Sequence, residues 1–268
     1  MLLILKFGGG VGIDLDSLAR NSAELQKSGE HIVIVVGANA KLSATQKERG
    51  IEPKMITSER GEKSRWTDLQ TLELLKEVYG GVAEEVAELI RKNGGDAVAQ
   101  LASKDNLILA RRHGRMRILE DGKVKVVDGD LTGRIEKVDT AAIQKILDSG
   151  KILVLTPPVA TADLQEVNVD GDKIASRIAI ELKAEKLIFF SNTPGLLKNM
   201  ENEKSLIREI PVTKADEFAI GRMKKKVLSA KRAIEAGVVE VIFADGRIEK
   251  DPISAALSGG GTRIFGKV

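Results

Sequence analysis

The chain has 268 residues, of which 43% are hydrophobic, enough to fill a sizeable core in one large α/β domain or two lobes. Lys+Arg 42 against Asp+Glu 39 leaves a net charge of only +3, and 3% aromatic content leaves few stacking platforms, so nothing here points to nucleic acid. The absence of cysteine excludes disulfides, thiolate zinc sites and cysteine nucleophiles, and the two histidines, His31 and His113, lack the neighbours that an imidazole metal site or a Ser-His-Asp triad needs.

In chain order, the first element is the strand LLILKF, residues 2–7, which follows Met1 directly with no basic segment or cleavage site before it. Leu15, Leu18, Ser22 and Leu25 then recur at helical spacing after Asp14, a good N-cap. HIVIVV, residues 31–36, reads as a second buried strand. Thr67-x-x-Gln70 forms a capping box that opens a long helix through residue 92, with a bend expected at Gly80-Gly81. Residues 106–138 alternate polar and apolar around the turns RHGR and EDGK, which predicts antiparallel hairpins. Three more buried strands, KILVLT, KLIFFS and EVIFAD, alternate with helices expected at about 139–148, 172–183, 221–236 and 251–258. No run approaches the roughly 18 apolar residues of a membrane span, so a cytoplasmic protein without membrane contact is expected. With no internal repeat or linker, the chain reads as one domain with two lobes around one continuous sheet.

Three stretches carry candidate chemistry. LKFGGGVG ends a strand in glycines, where backbone N–H groups can cradle phosphate, although neither the dinucleotide fingerprint nor the Walker pattern is met and a plain tight turn is equally compatible. NVDGDKIASRIA places Asn168, Asp170 and Asp172 just before a helix, where either aspartate can serve as an N-cap. GRMKKKVLSAKRA sets three lysines beside an apolar stripe of Met223, Val227, Ala230 and Ile234. At about 100° per residue, Lys225 lies roughly opposite that stripe, Lys224 about 90° and Lys226 only about 70° from its centre. Solvated surface lysines would have the same composition.

Taken in order, LKFGGG, NVDGDKIA, FFSNTPGLL, GRMKKKV and FADGR resemble the amino acid kinase family, and the resemblance covers essentially the whole chain. TSERGEKSRWTD, VLTPPVA and GRMKKKVLSAKRA are most similar to the branch that phosphorylates aminoadipate or glutamate carried on the small acidic protein LysW, a branch related to N-acetylglutamate kinase. The resemblance implies a three-layer α/β sandwich of the carbamate kinase-like type, with a largely parallel central sheet. A substrate lobe would span about 1–158 and a nucleotide lobe about 159–268, and the chain would assemble as a homodimer. It further implies ATP and Mg²⁺ as cofactors and a LysW-borne carboxylate as acceptor.

Residue by residue, the resemblance assigns Lys6 and Lys226 to the transferred phosphoryl group and Asp172 to holding the two lysines. Asn168 would help hold the acyl group, Arg65 the α-carboxylate, and Gly37 and Ala38 the substrate turn. Gly8 and Gly9, then Ser191, Asn192, Pro194, Gly195 and Leu196, would line the nucleotide, with Met223 near the adenine. A carboxylate acceptor is already an anion at pH 7, so no histidine base is needed and neutralising repulsion becomes the main task.

One departure stands out. The family has a His-Gly-Gly-Gly-like turn where this chain has Val36-Gly37-Ala38-Asn39. If that turn needs a positive φ, Ala38 costs about 1–2 kcal/mol and Asn39 less. Three alternatives therefore stay open: the LysW-dependent kinase, a kinase of free N-acetylglutamate, and a catalytically silent amino-acid or nucleotide sensor. The basic stretch with Arg111, Arg112, Arg115 and Arg117 is a candidate docking surface for an acidic carrier, or an ordinary charged hairpin.

Overall fold

The structure, a computed structural model, describes residues 1–59, 61, 63–221 and 223–266. Eight strands form the central sheet in the order Glu209–Pro211, Thr262–Phe265, Glu240–Asp245, Lys186–Ser191, Leu2–Phe7, His31–Val36, Ile152–Thr156 and Ala97–Leu101. The last six run parallel, while Thr262–Phe265 is antiparallel to Glu240–Asp245 and carries Glu209–Pro211 as its own parallel partner. The five expected strands are all present. The three that the sequence did not announce lie at or next to the sheet edges, where strands are short or only partly buried.

Strand alternation sorts the core into two layers. Leu3, Leu5 and Phe7 pack with Leu18, Leu75, Val78 and Ile90 of helices Leu15–Lys27 and Leu69–Lys92. Ile4, Val33, Val35, Leu187 and Phe189 face the other way, onto Ile143, Ile174, Ile178, Val227 and Ala230 of helices Thr140–Asp148, Gly171–Glu181 and Met223–Glu235. The result is the three-layer sandwich with a largely parallel sheet that was expected. Among the described residues, no helix is long and apolar enough to cross a membrane.

Two local expectations change. The long helix is capped by Asp68, whose carboxylate accepts the Thr71 N–H at 2.8 Å, so the Thr67–Gln70 capping box does not form. The helix also continues without interruption through Gly80 and Gly81. EDGK is a hairpin turn as expected: Asp121 (φ 51°) and Gly122 (φ 74°) join Met116–Glu120 to Lys123–Val127. RHGR is not. Ile108–Arg112 pairs with Gly133–Val138, whereas Met116–Glu120 pairs with Met55–Ser58, so RHGR carries the chain between two separate four-stranded sheets. Alternation reveals which face of a strand is buried but not which strand it pairs with.

Candidate active site

Lys6 is the penultimate residue of the central strand. Sharing a face with Ile4, it points into the layer that holds helices Gly171–Glu181 and Met223–Glu235. It is 6% exposed, and its Nζ donates to the Phe7 carbonyl at 3.2 Å and stands 3.3 Å from Asp172 Oδ1. Asp170 takes the N-cap role by accepting the Asp172 N–H at 2.9 Å, which leaves the Asp172 carboxylate free for other partners in the first helical turn, where the helix dipole favours a negative charge. Lys226 reaches that carboxylate from the facing helix, donating to Oδ2 at 2.9 Å and Oδ1 at 3.1 Å, and lies 5.4 Å from the centroid of the Phe189 ring. Phe189 is the register partner of Lys6 on the neighbouring strand. Two ammonium groups thus share one buried carboxylate.

The electrostatics follow from that count. Burial pushes Lys6 below the ordinary lysine value, opposed by Asp172 and reinforced by the charge of Lys226. Burial alone would raise the Asp172 carboxyl, but Lys226 and then Lys6 reverse this and hold it at about 2. The cluster carries a net positive charge at the carboxyl ends of the parallel strands, the usual place for a ligand in an open α/β sheet.

The glycine turn lies against the cluster. A Cβ on Gly9 would stand 2.5 Å from the Ala38 nitrogen and 2.6 Å from the Asn39 nitrogen, so only glycine allows these backbone segments to approach. The same construction at Gly37 comes within 3.1 Å of Lys6 Nζ, which places the second turn beside Lys6. Ala38 has φ −138° at the N-terminus of helix Asn39–Glu48, and Asn39 is the helix's first residue. The strain anticipated for Val36-Gly37-Ala38-Asn39 is therefore absent, because the close approach falls on Gly9. Gly8 donates its N–H to the Phe190 carbonyl at 3.0 Å, tying the glycine turn to strand Lys186–Ser191.

Of the residues expected at the acceptor, Arg65 ends strand Lys63–Arg65 and donates to Ser43 Oγ at 2.8 Å and to the buried Gln46 Oε1. Asn168 donates its amide to Thr67 Oγ1 at 3.4 Å. Sequence reasoning missed Gln46 and Asp130. Asp130 is 2% exposed and accepts the Thr67 N–H at 2.8 Å, a contact between positions 63 residues apart that leaves no local signal.

Ser191, Asn192, Pro194, Gly195 and Leu196, expected to line the nucleotide, lie at the end of strand Lys186–Ser191 and on the loop that follows it. Ser191 Oγ donates to the Thr193 carbonyl at 3.4 Å, and Asn192 is exposed beside Gly10. Gly195 has φ 149°, and a Cβ there would stand 2.4 Å from Thr262 Oγ1. Leu196 has its side chain in the core, and its N–H is taken by Thr262 Oγ1 at 2.8 Å. Pro194 and Met223 are half-buried, Met223 packing on the core at the start of the lysine helix. Arg247 of FADGR links Asp245 to Glu203, donating to them at 2.8 Å each and so joining the two loops on this side.

The three lysines do diverge. Lys224 is exposed, Lys226 turns inward, and Lys225 donates to the Lys63 carbonyl at 3.1 Å instead of facing open solvent. Arg60 and Glu62 of TSERGEKSRWTD and Arg222 of GRMKKKV lie outside the described residues. The basic stretch is not one hairpin: Arg111 pairs with Glu136 at 3.3 Å, Arg115 with Asp128 at 3.9 Å and Arg117 with Glu59 at 3.2 Å, while Arg112 Nε donates to the Asp130 carbonyl at 3.0 Å.

Known proteins match this chain along its full length. It is 39% identical over 269 residues to the [LysW]-aminoadipate kinase of Thermus thermophilus, covering 98% of this chain and 100% of that one. It is 43% identical over 268 residues to the [LysW]-aminoadipate kinase of Deinococcus radiodurans, covering 98% and 91%. A solved N-acetylglutamate synthase from Neisseria gonorrhoeae has the same fold over 100% of this chain, with a TM-score of 0.81 at 24% identity, and this chain spans 60% of that protein. The model of the amino acid kinase family matches residues 1–245, and the chain belongs to that family.

Proposed function

We propose that this protein uses ATP to phosphorylate the side-chain carboxylate of L-2-aminoadipate or L-glutamate carried through its amino group on LysW. The product is an acyl phosphate on the route to lysine or arginine. The observation that carries this reading is the Lys6–Asp172–Lys226 cluster, one buried and one half-buried cation held by a buried anion at the carboxyl ends of the sheet. A carboxylate nucleophile needs no base, so the chain's task is to bring two anions together in line. Lys6 and Lys226 neutralise the transferred group from both sides of Asp172, while Arg65 and Asn168 orient the acceptor.

Mg²⁺ fits this site as the companion of the nucleotide phosphates. Among the described residues no three His, Asp or Glu side chains group to hold an ion, and Asp172 is already taken by two lysines. A magnesium ion that keeps most of its waters and binds phosphate oxygens suits such a donor set, and it would supply charge neutralisation on those oxygens. The protein works in the cytoplasm as a homodimer, with the acidic carrier approaching the arginines at 111–117.

Steady-state assays with carrier-linked aminoadipate, carrier-linked glutamate and free N-acetylglutamate test the reading. ATP-dependent turnover of a carrier-linked substrate at far higher kcat/KM than N-acetylglutamate is expected. Equal use of the free substrate would overturn the carrier, and no turnover of any of them would leave a sensor.

A further inference from the structure

Asp130 lies between strands Lys123–Val127 and Gly133–Val138, buried to 2% exposure. One of its carboxylate oxygens accepts the Thr67 N–H at 2.8 Å and the other accepts the Thr132 hydroxyl. Backbone bonds extend the same seam. Leu131 N–H donates to the Thr67 carbonyl at 2.7 Å, Asn168 N–H to the Leu131 carbonyl at 2.7 Å, and Gly133 N–H to the Asn168 carbonyl at 3.0 Å. The Asn168 amide closes the loop on Thr67 Oγ1. Thr67 is two residues beyond Arg65, so the seam fixes the segment that carries Arg65 against the segment that carries Asn168. A buried carboxylate is costly unless its lone pairs are used, and here both oxygens are spent on holding that geometry.

We propose that Asp130 is a positioning residue that sets the separation of Arg65 and Asn168, and through it the length of acyl substrate that the site accepts. This rests on the reading above, in which Arg65 holds the α-carboxylate end and Asn168 the acyl end. A substrate held at both ends is measured by the distance between the two grips. Glutamate and aminoadipate differ by one methylene, which a rigid site discriminates by about 10- to 200-fold and a slack one by less.

The test compares wild type, Asp130→Ala and Asp130→Asn for kcat/KM on carrier-linked aminoadipate and carrier-linked glutamate, with KM for ATP and thermal melting measured alongside. Wild type should prefer one length. Asp130→Ala should shrink that preference by about fivefold or more while KM for ATP stays within about twofold. Asp130→Asn keeps an acceptor for the Thr67 N–H and sets an amide against the Thr132 hydroxyl, so it should retain the preference. A merely structural role would lower both substrates together and leave their ratio fixed. If Asp130→Ala does not fold, Thr132→Val, which leaves one carboxylate oxygen without its hydroxyl donor, makes the same comparison. An unchanged ratio in the variant, or a wild type indifferent to length, overturns the inference alone. A wild type inactive on every acyl substrate overturns the kinase reading and this inference with it.

Discussion

Lys226 Nζ lies 2.9 Å from Asp172 Oδ2 and 3.1 Å from Oδ1, so one ammonium spans both oxygens of a carboxylate that also faces Lys6. The two lysines therefore owe their positions to the same anion, and they project from different layers, one from the sheet and one from a helix.

Removing either cation should strike the chemistry more than the fold. Lys6→Ala and Lys226→Ala are each expected to lower kcat by about 100-fold or more, since each removes a charge aimed at the transferred group while Asp172 keeps one partner. Saturation kinetics beside melting curves check this, and a kcat within a few-fold of wild type in either variant would remove that lysine from the mechanism.

Asp172→Asn should behave differently. It leaves the buried Lys6 ammonium and the half-buried Lys226 ammonium without their anion, which destabilises the fold as long as Lys6 stays charged. Turnover should fall more than nucleotide affinity, because Asp172 orients the lysines and its oxygens are already occupied by them. Calorimetric titration with a non-hydrolysable ATP analogue, set against kcat, separates the two. A variant that lost nucleotide binding and kept its rate at saturation would contradict the assignment.

The shifted groups set the pH response. Burial lowers the Lys6 pKa, so Lys6 should lose its proton, and kcat should fall, below the roughly 10.4 of a free lysine. Lys6→Arg should lose that particular limb, because a guanidinium does not titrate there. For stability the signs are these: unfolded Lys6 binds its proton more tightly than folded Lys6, so stability gains with pH between the folded and unfolded values. Asp172 is depressed on folding, so its contribution is complete above the unfolded value of about 3.9 and is lost as pH falls towards 2. Melting temperature and kcat across pH in wild type and Lys6→Arg test both limbs.

Carrier docking should respond to Arg111 and Arg115, whose side chains are 71% and 79% exposed, whereas Arg112 is tied to the Asp130 carbonyl and would disturb the acyl site if changed. Arg111→Glu with Arg115→Glu should raise KM for carrier-linked substrate steeply at low salt and less at high salt, with kcat nearly unchanged. Salt-independent, wild-type kinetics in the double variant would move the docking surface elsewhere.

The buried parallel strands were legible because each is a short continuous apolar run, and Lys6 was legible as the polar residue that interrupts one of them before the glycines. Helical angle set Lys224 and Lys226 apart from Lys225, and the family resemblance singled out Lys226 and its partner Asp172. The edge strands Ala97–Leu101 and Glu209–Pro211 and the seam around Asp130 were not legible, since a short, partly buried strand shows little periodicity and Asp130 acts only through Thr67, Thr132 and Asn168 brought from elsewhere. Thr67 shows the limit of local patterns most plainly. It matches a capping box in sequence, yet Asp68 next to it makes the cap and frees Thr67 to meet Asn168.

Lys6 and Arg65 are anchored to very different depths. Lys6 belongs to a central strand paired on both sides, whereas Arg65 belongs to a three-residue strand at the edge of a small sheet whose buried cluster is Ile56, Trp66 and Ile118. The two ends of the site therefore sit in regions of unequal opening free energy. Amides of the strands Met55–Ser58 and Lys63–Arg65 can exchange with solvent through local fluctuation while those of residues 3–7 wait for the whole sheet to come apart. With Arg65 and Lys6 in the roles proposed above, mild denaturant should raise KM for the acceptor before it lowers the population of the folded sheet that holds Lys6.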